Sequence, residues 1–279
     1  MTVRVVTDSS SDLPASLARE LGITVVPLHV HVGDRTFTEG VDLDAETFYR
    51  DILPGPVLPT TSQPSVGAFV DVYTALARET DEIISIHISS KLSGTHQAAL
   101  LGRERAPKGC RIEVVDSQHL SMALGLQVLL AARAARDGGR LEHVSRLVRD
   151  AIPCTHIYAV LDTLEYLRKG GRIGNVKAFL GALLHIKPLL SFRDGAPWPL
   201  ERARTRARAL DRLCELAQGL PRIRDMAVMY NTTPDEAAAL ADRLATGHSR
   251  ESIVMARMGP VLGTHVGPGA LAVAALTDA

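Results

Sequence analysis

The feature that most constrains this chain is a grammar that it uses three times. Val3, Val5 and Val6 make a short β-rich run, followed by the polar turn Thr7-Asp8-Ser9-Ser10-Ser11-Asp12, then Pro14 and a helical pattern to Leu21. Glu82 to Ile88 is a second apolar run, followed by Ser89-Ser90-Lys91-Leu92-Ser93-Gly94-Thr95 and a helix from His96. Arg111 to Val115 is the third, followed by Asp116-Ser117-Gln118 and a helix from Met122 to Ala135. Strand, polar turn and helix in repeated succession is the pattern of parallel βα units. The Ser, Thr and Asp residues in each turn suit the N-caps of the helices that follow. Thr60-Thr61-Ser62-Gln63-Pro64 has the same cap-like form ahead of a helix from Val66 to Ala77. Before it the rhythm is interrupted. Thr24 to His31 alternates, Gly33-Asp34 signals a turn and Arg35 to Thr38 returns, which reads as an antiparallel hairpin and not a crossover.

The second half differs. Thr155 to Leu161 reads as a strand, Thr163 to Arg168 as a helix and Gly170-Gly171 as its stop. Val176 to Leu184 reads as a short apolar helix. Ile186 to Phe192, the turn Arg193-Asp194-Gly195, and Trp198 to Ala203 make a second hairpin. Helices over 206–218 and up to Leu244 and strands over 226–230, 252–258 and 270–276 complete the pattern, with a glycine-rich stretch from Gly259 to Gly269 before the last strand. The expectation is an α/β protein of two domains, 1–150 and 151–279, with a boundary near Gly139 to Pro153 and the 24–59 hairpin region packing on the second domain.

Composition narrows the function classes. With 279 residues, 46% hydrophobic and 22% charged, the chain can bury a sizeable core, and disorder is excluded as its main state. Thirty-one basic and thirty-one acidic residues give a formal charge of +0, so there is no global field for nucleic acid. Aromatics are only 4%, which leaves few platforms for stacking bases. Cys110, Cys154 and Cys214 lie far apart with no CxxC pair, which argues against a cysteine-rich metal site and suits a reducing cytoplasm. The N-terminus lacks the apolar core of a signal peptide, and the stretches 122–135 and 176–190 are too short or too interrupted to span a membrane. No GxxxxGK[ST], GxGxxG, GxSxG or HExxH pattern is present, so no nucleotide loop, nucleophile elbow or zinc helix is expected.

What remains is a set of hydroxyls and glycines at the C-terminal ends of expected strands, where crevices form in open parallel sheets. Ser93, Gly94 and Thr95 stand where a strand gives way to a helix. They fit an anion site at free N–H groups, and they equally fit a plain cap. Thr61 and Ser62 before Pro64, and Asp8 to Ser11, divide the same way. His265 lies in Gly-Thr-His-Val-Gly-Pro-Gly, either as a donor to a carboxylate or as a surface histidine in a turn. Arg202, Arg204, Arg206 and Arg208 alternate at period two, which on a strand places all four on one face, as a solvated edge or as a basic surface for a phosphate-bearing partner.

Several of these stretches together resemble one family. Val5 to Pro14, Thr60-Thr61-Ser62-Gln63-Pro64-Ser65, Ser89 to Thr95, Val115-Asp116-Ser117, Leu161 to Ile173 and Gly259 to Gly269 are similar, in the same order, to motifs of the DegV family of bacterial lipid-binding proteins. The resemblance implies a two-domain DegV-type fold: a mainly parallel α/β domain and a second mixed-sheet α/β domain, with one long-chain fatty acid held between them. It implies that Thr61 and Ser93, with Gly94, bind the acyl carboxyl, and that His265 lies near the head group. It places Arg172 on the side that meets the catalytic subunit of a fatty acid kinase, with Arg204 at a basic position near the opening. Val176, Phe179, Leu180, Leu183 and Leu184 fit a lining for the acyl chain, and their helical spacing fits a core helix equally. On this reading the chain is a cytoplasmic, bacterial substrate-binding subunit in phospholipid metabolism. It has no catalytic residue, metal, cofactor or ATP site of its own. It has no nucleic acid partner, and contact with a membrane surface is transient. The rival readings are a stand-alone lipid carrier or sensor, and a hydrolase acting on acyl substrates through Ser93 and His265.

Overall fold

The computed structural model describes residues 3–179, 186–245 and 249–278. Its first sheet is parallel, in the order β2-β1-β6-β7: β1 (Arg4–Asp8), β2 (Thr24–Val26), β6 (Glu82–His87) and β7 (Arg111–Asp116). The repeated grammar builds it. Helices α1 (Ala15–Glu20), α3 (Val66–Leu76) and α4 (Thr95–Glu104) lie in the connections, and all six residues of β6 are buried, as expected of an inner parallel strand. The capping chemistry is as the composition suggested: Asp8 accepts from Ser10 N, and Ser65 Oγ from Ala68 N at 3.1 Å.

The hairpin reading of 24–38 holds only in part. β3 (His29–Val32) and β4 (Arg35–Thr38) pair antiparallel, but Thr24–Val26 joins the first sheet, parallel to β1. Pro27 separates the two, and a proline cannot donate to a ladder. β5 (Thr60–Ser62) completes a three-stranded sheet of order β4-β3-β5, so the cap-like Thr60-Thr61-Ser62 is a strand. Between β4 and β5 come the short helix α2 (Ala45–Thr47) and a wide helical turn over Phe48–Ile52.

The second sheet has six strands in the order β10-β9-β8-β13-β11-β12: β8 (Thr155–Val160), β9 (Lys187–Arg193), β10 (Ala196–Ala203), β11 (Ile223–Tyr230), β12 (Ile253–Arg257) and β13 (Leu271–Thr277). Only β11 and β12 pair parallel. Helices α8 (Arg206–Gln218) and α9 (Pro234–Leu244) bury Leu213, Ala217, Leu240 and Leu244 against its outer face.

Between the two sheets lies α5 (Ser121–Arg136), which touches β1 and β6 on one side and β8, β11 and β13 on the other. Thirteen of its sixteen residues are buried, as its apolar sequence requires. One core therefore runs from Ile84 and Ile86 through Leu126 and Leu129 to Ala272 and Met229. Residues 141–151 form α6 (Leu141–Ala151), packed on α5 and on the edge of the first sheet. α7 (Glu165–Lys169) follows β8, and a 3-10 turn occupies Gly174–Phe179 where a longer apolar helix was expected. Leu180, Leu183 and Leu184 lie outside the described residues.

Two further expectations are corrected. The glycine-rich stretch before β13 contains a helix, α10 (Pro260–Val266), so His265 sits in a last helical turn and not in an open loop. The four alternating arginines do not share a face, because β10 ends at Ala203 and α8 begins at Arg206. Arg202 lies over the Phe179 ring, and Arg206 pairs with Glu236 and Asp162.

Gly263 shows why glycine is needed within α10. A β-carbon there would collide with the Tyr49 hydroxyl and lie 2.7 Å from Phe48 Cε1. Both aromatics are buried beside Val261 in the small core under the three-stranded sheet. Gly263→Ala is expected to lower unfolding stability by about 1–2 kcal/mol, overpacking outweighing the gain in helix propensity. Urea unfolding of the two proteins checks this, and equal midpoints would contradict it.

Candidate functional site

Where α5 begins, the two sheets are not filled. A cavity partly open to solvent lies there, and the space not filled by atoms, solvent-continuous parts included, is about 1020 Å³. Its floor is one face of the second sheet. Leu190, Ala159, Ala272 and Met229 are successive register partners across β9, β8, β13 and β11, so they point the same way. The two alanines at the middle of that row leave room that larger side chains would take. Ile88, Leu92 and Leu120 from the first half, and Val261, Leu262 and Val266 from α10, form further apolar wall.

Polar groups gather in one part of this wall. Thr61, Gln63, Ser93, Arg172 and His265 all line the cavity. Thr61 Oγ1 and His265 Nε2 are 2.8 Å apart, although 204 residues separate them in sequence. The Arg172 guanidinium donates to Leu92 O at 3.3 Å, next to Ser93, and to Gly170 O at 2.7 Å. Ser93 Oγ lies 2.8 Å from Thr95 Oγ1 and accepts from Thr95 N at 3.3 Å. Gly94 is the N-cap of α4, so Ser93 lies just outside the helix, in the cavity wall, with its hydroxyl on Thr95.

His265 is neutral at pH 7. Burial, and then the charge of Arg172, pull its pKa down to about 4. Its Nδ1 is buried and has no hydrogen-bond partner. The ring fits because residue 170 is glycine: a β-carbon there would collide with Nδ1 and lie 3.0 Å from Cε1. The glycine pair was legible as a helix stop, and one of its members also makes room for the imidazole. Ser93 and His265 do not hydrogen-bond to each other, each being engaged with a threonine instead. A serine–histidine nucleophile pair is thus not assembled in this arrangement.

Other expected residues lie elsewhere. Gly94 is outside the cavity wall, but the Gln63 amide packs where its β-carbon would be, 3.1 Å away. Arg204 is exposed and lines a separate surface groove with Glu201, Arg208 and Asp211. Val176 is buried in the main core and Phe179 packs at its edge; neither is among the residues of the cavity wall. Sequence reading missed Gln63 and Ser121 as wall residues, and it missed Glu39, whose contacts with 261 arise only in the folded chain. Among the described residues, no cluster of three His, Cys, Asp or Glu side chains could hold a metal ion, and no helix is long and apolar enough to cross a membrane.

The family profile described as "Uncharacterised protein, DegV family" matches residues 2–278. The chain belongs to the DegV family. A DegV domain-containing protein of Streptomyces coelicolor is 40% identical over 278 residues, 97% of each chain. Among solved structures, a DegV family protein of Thermus thermophilus, described as fatty-acid-binding, superposes with a TM-score of 0.92 at 35% identity over the whole of both chains. DegV of Bacillus subtilis, described as a fatty acid binding protein, does so with a TM-score of 0.89 at 31% identity, again over the whole of both. The parallel sheet and the mixed sheet described above are thus the family's fold.

Two buried acids near the cavity give the stability a definite pH dependence. Burial raises Asp12 to about 8 and Glu39 to about 7, with the proximity of Asp8 adding to both and that of Glu39 adding to Asp12. Tyr49 also faces the pair, and Arg257 stacks on the Tyr49 ring. A raised carboxyl pKa means the folded state keeps a proton that the unfolded chain releases, so stability falls as pH rises toward the folded values. His265 acts in the opposite sense, but only below its unfolded value of 6.5. Melting temperature is therefore expected to fall between about pH 6.5 and 8.5, and the Asp12→Asn, Glu39→Gln double variant to flatten that slope. A wild-type protein with no slope there would contradict the assignment.

Proposed function

We propose that this protein binds one long-chain fatty acid, with the acyl chain in the cavity and the carboxyl at Thr61, Ser93 and His265. We further infer that it presents that carboxyl, in the cytoplasm, to a separate ATP-dependent kinase subunit. The observation that carries the reading is the cavity itself: a mostly apolar space with Thr61, Ser93, Arg172 and His265 in its wall. Relatives over the whole length are described as fatty-acid-binding.

The energetics suit a binding protein. Burying a sixteen-carbon chain is worth roughly 11 kcal/mol gross, at about 0.8 kcal/mol per methylene. Association and ordering offset much of that. The carboxyl cannot be left unpaired in such a place. The Thr61 and Ser93 hydroxyls can donate to it, and the Arg172 charge nearby favours its ionised form. An ionised acyl oxygen is the nucleophile that phosphoryl transfer needs. It would attack the terminal phosphorus of ATP held by the partner, the bond to ADP would break, and acyl phosphate would remain in this chain. Here the described chain binds and orients, and transfer is left to the partner. All three cysteines are free, as suits a reducing compartment.

Thr61→Ala and His265→Ala are each expected to weaken palmitate binding by about tenfold, the cost of one buried hydrogen bond. Ala272→Leu, which fills the floor, should lower affinity for long chains more than for short ones. Calorimetric titration checks both. Unchanged palmitate affinity in all three variants would contradict the assignment. In a coupled assay, acyl phosphate should form only when a kinase subunit and ATP are both added. Formation by this chain alone would contradict the division of labour.

A further inference from the structure

α10 carries His265 in its last turn, and Val261, Leu262 and Val266 on the cavity wall. Its first turn is held by two carboxyl groups from far away in the chain. Gly259 N donates to Asp12 Oδ1 at 2.8 Å, and Val261 N donates to Glu39 Oε1 at 2.8 Å. These are amide hydrogens that the start of a helix leaves without internal partners. The two carboxyl groups converge closely. A β-carbon on Gly259 would collide with Glu39 Oε1 and lie 3.3 Å from Asp12 Oδ1. Both acids are buried. The second oxygen of Asp12 accepts from Ser121 Oγ at 2.5 Å, and Ser121 itself lines the cavity.

The same arrangement connects three separate parts of the chain. Asp12 follows β1, Glu39 follows β4 and Ser121 opens α5, so α10 is tied to the first sheet, the three-stranded sheet and the central helix together. Tyr49 adds a weaker contact, its hydroxyl 3.5 Å from Gly259 O. A buried carboxyl is costly unless it is well hydrogen-bonded or neutral, so each of these acids is retained at the helix start at some expense. None of them touches the Thr61–His265 pair. They hold the backbone that carries it.

We propose that Asp12 and Glu39 are positioning residues, which anchor the first turn of α10 and thereby fix the His265 imidazole against Thr61 in the cavity. The anchoring stands on the geometry of this chain alone. Its consequence for affinity rests on the fatty-acid reading, and the experiment separates the two.

The test uses the full-length protein without lipid, followed by palmitate titration. Three proteins are compared: wild type, the Asp12→Ala, Glu39→Ala double variant, and the Asp12→Asn, Glu39→Gln double variant, whose carbonyl oxygens can still accept. Amide exchange by NMR should speed up by about tenfold or more at Gly259 and Val261 in the alanine variant, beyond any change at α5, and stay close to wild type in the amide variant. The His265 ring should titrate nearer 6.5 in the alanine variant and near 4 in the other two. Palmitate affinity should fall by about tenfold in the alanine variant. If the alanine double variant does not fold, Glu39→Ala alone carries the same comparison at Val261. Unchanged exchange and an unchanged His265 titration in the alanine proteins would overturn the proposal, as would an amide variant that behaves like the alanine one. A wild-type protein that takes up no palmitate would sink the fatty-acid reading, while the exchange and titration results would still judge the anchor.

Discussion

The structure depends on the burial of α5 between two sheets. A helix reading SMALGLQVLLAARAAR has no polar face wide enough for solvent, so it must be covered on nearly every side. The parallel sheet covers one side and the mixed sheet the other, and the core becomes continuous through it. Its one long uncharged polar side chain, Gln127, is accommodated because Nε2 donates to Ser117 O and Thr155 Oγ1. Where the helix ends, the filling ends. Leu120 and Ser121, at its N-terminal end, are wall residues of the cavity. The enclosure is thus a consequence of how two sheets share one helix of limited length.

The polar part of the cavity follows from the same geometry. Thr61 comes from the three-stranded sheet, Ser93 from the turn after β6, Arg172 from the turn after α7 and His265 from α10. These four segments each deliver a polar group into a mostly apolar space, whose wall also holds Gln63 and Ser121, and there hydrogen bonds are strong and unpaired groups costly. His265 has Nε2 on the Thr61 hydroxyl and its unpartnered Nδ1 packed against Gly170, with the Arg172 charge nearby.

Much of this was legible in the sequence, for physical reasons that can be named. The βα units were readable because strand periodicity and capping chemistry are local. Helix α8 was bounded at its observed ends, since Thr205 caps its start and Gly219 follows its end. Thr61, Ser93 and His265 as carboxyl-side residues, and Arg172 as head-group or partner-facing, came from the family resemblance and not from local physics, and all four line one cavity. The failures are also instructive. Thr24–Val26 was assigned to the hairpin because alternation does not say which sheet a strand joins. α10 was missed because Gly259, Gly263 and Gly267 look like a loop, whereas Gly263 is there to admit Phe48 and Tyr49. Asp12 and Glu39 as partners of α10 left no local trace, since their contacts span 247 and 222 residues. Val176 and Phe179 were offered as lining on helical spacing alone, which does not separate a core wall from a cavity wall.

The central claim is that the cavity belongs to a fatty acid. Native mass spectrometry of the protein purified without added lipid, followed by organic extraction and identification of what is released, tests it most directly. The account predicts one fatty acid per chain, retained in the folded protein and freed on denaturation. A protein that is empty as purified and that still takes up no fatty acid when it is offered would contradict it.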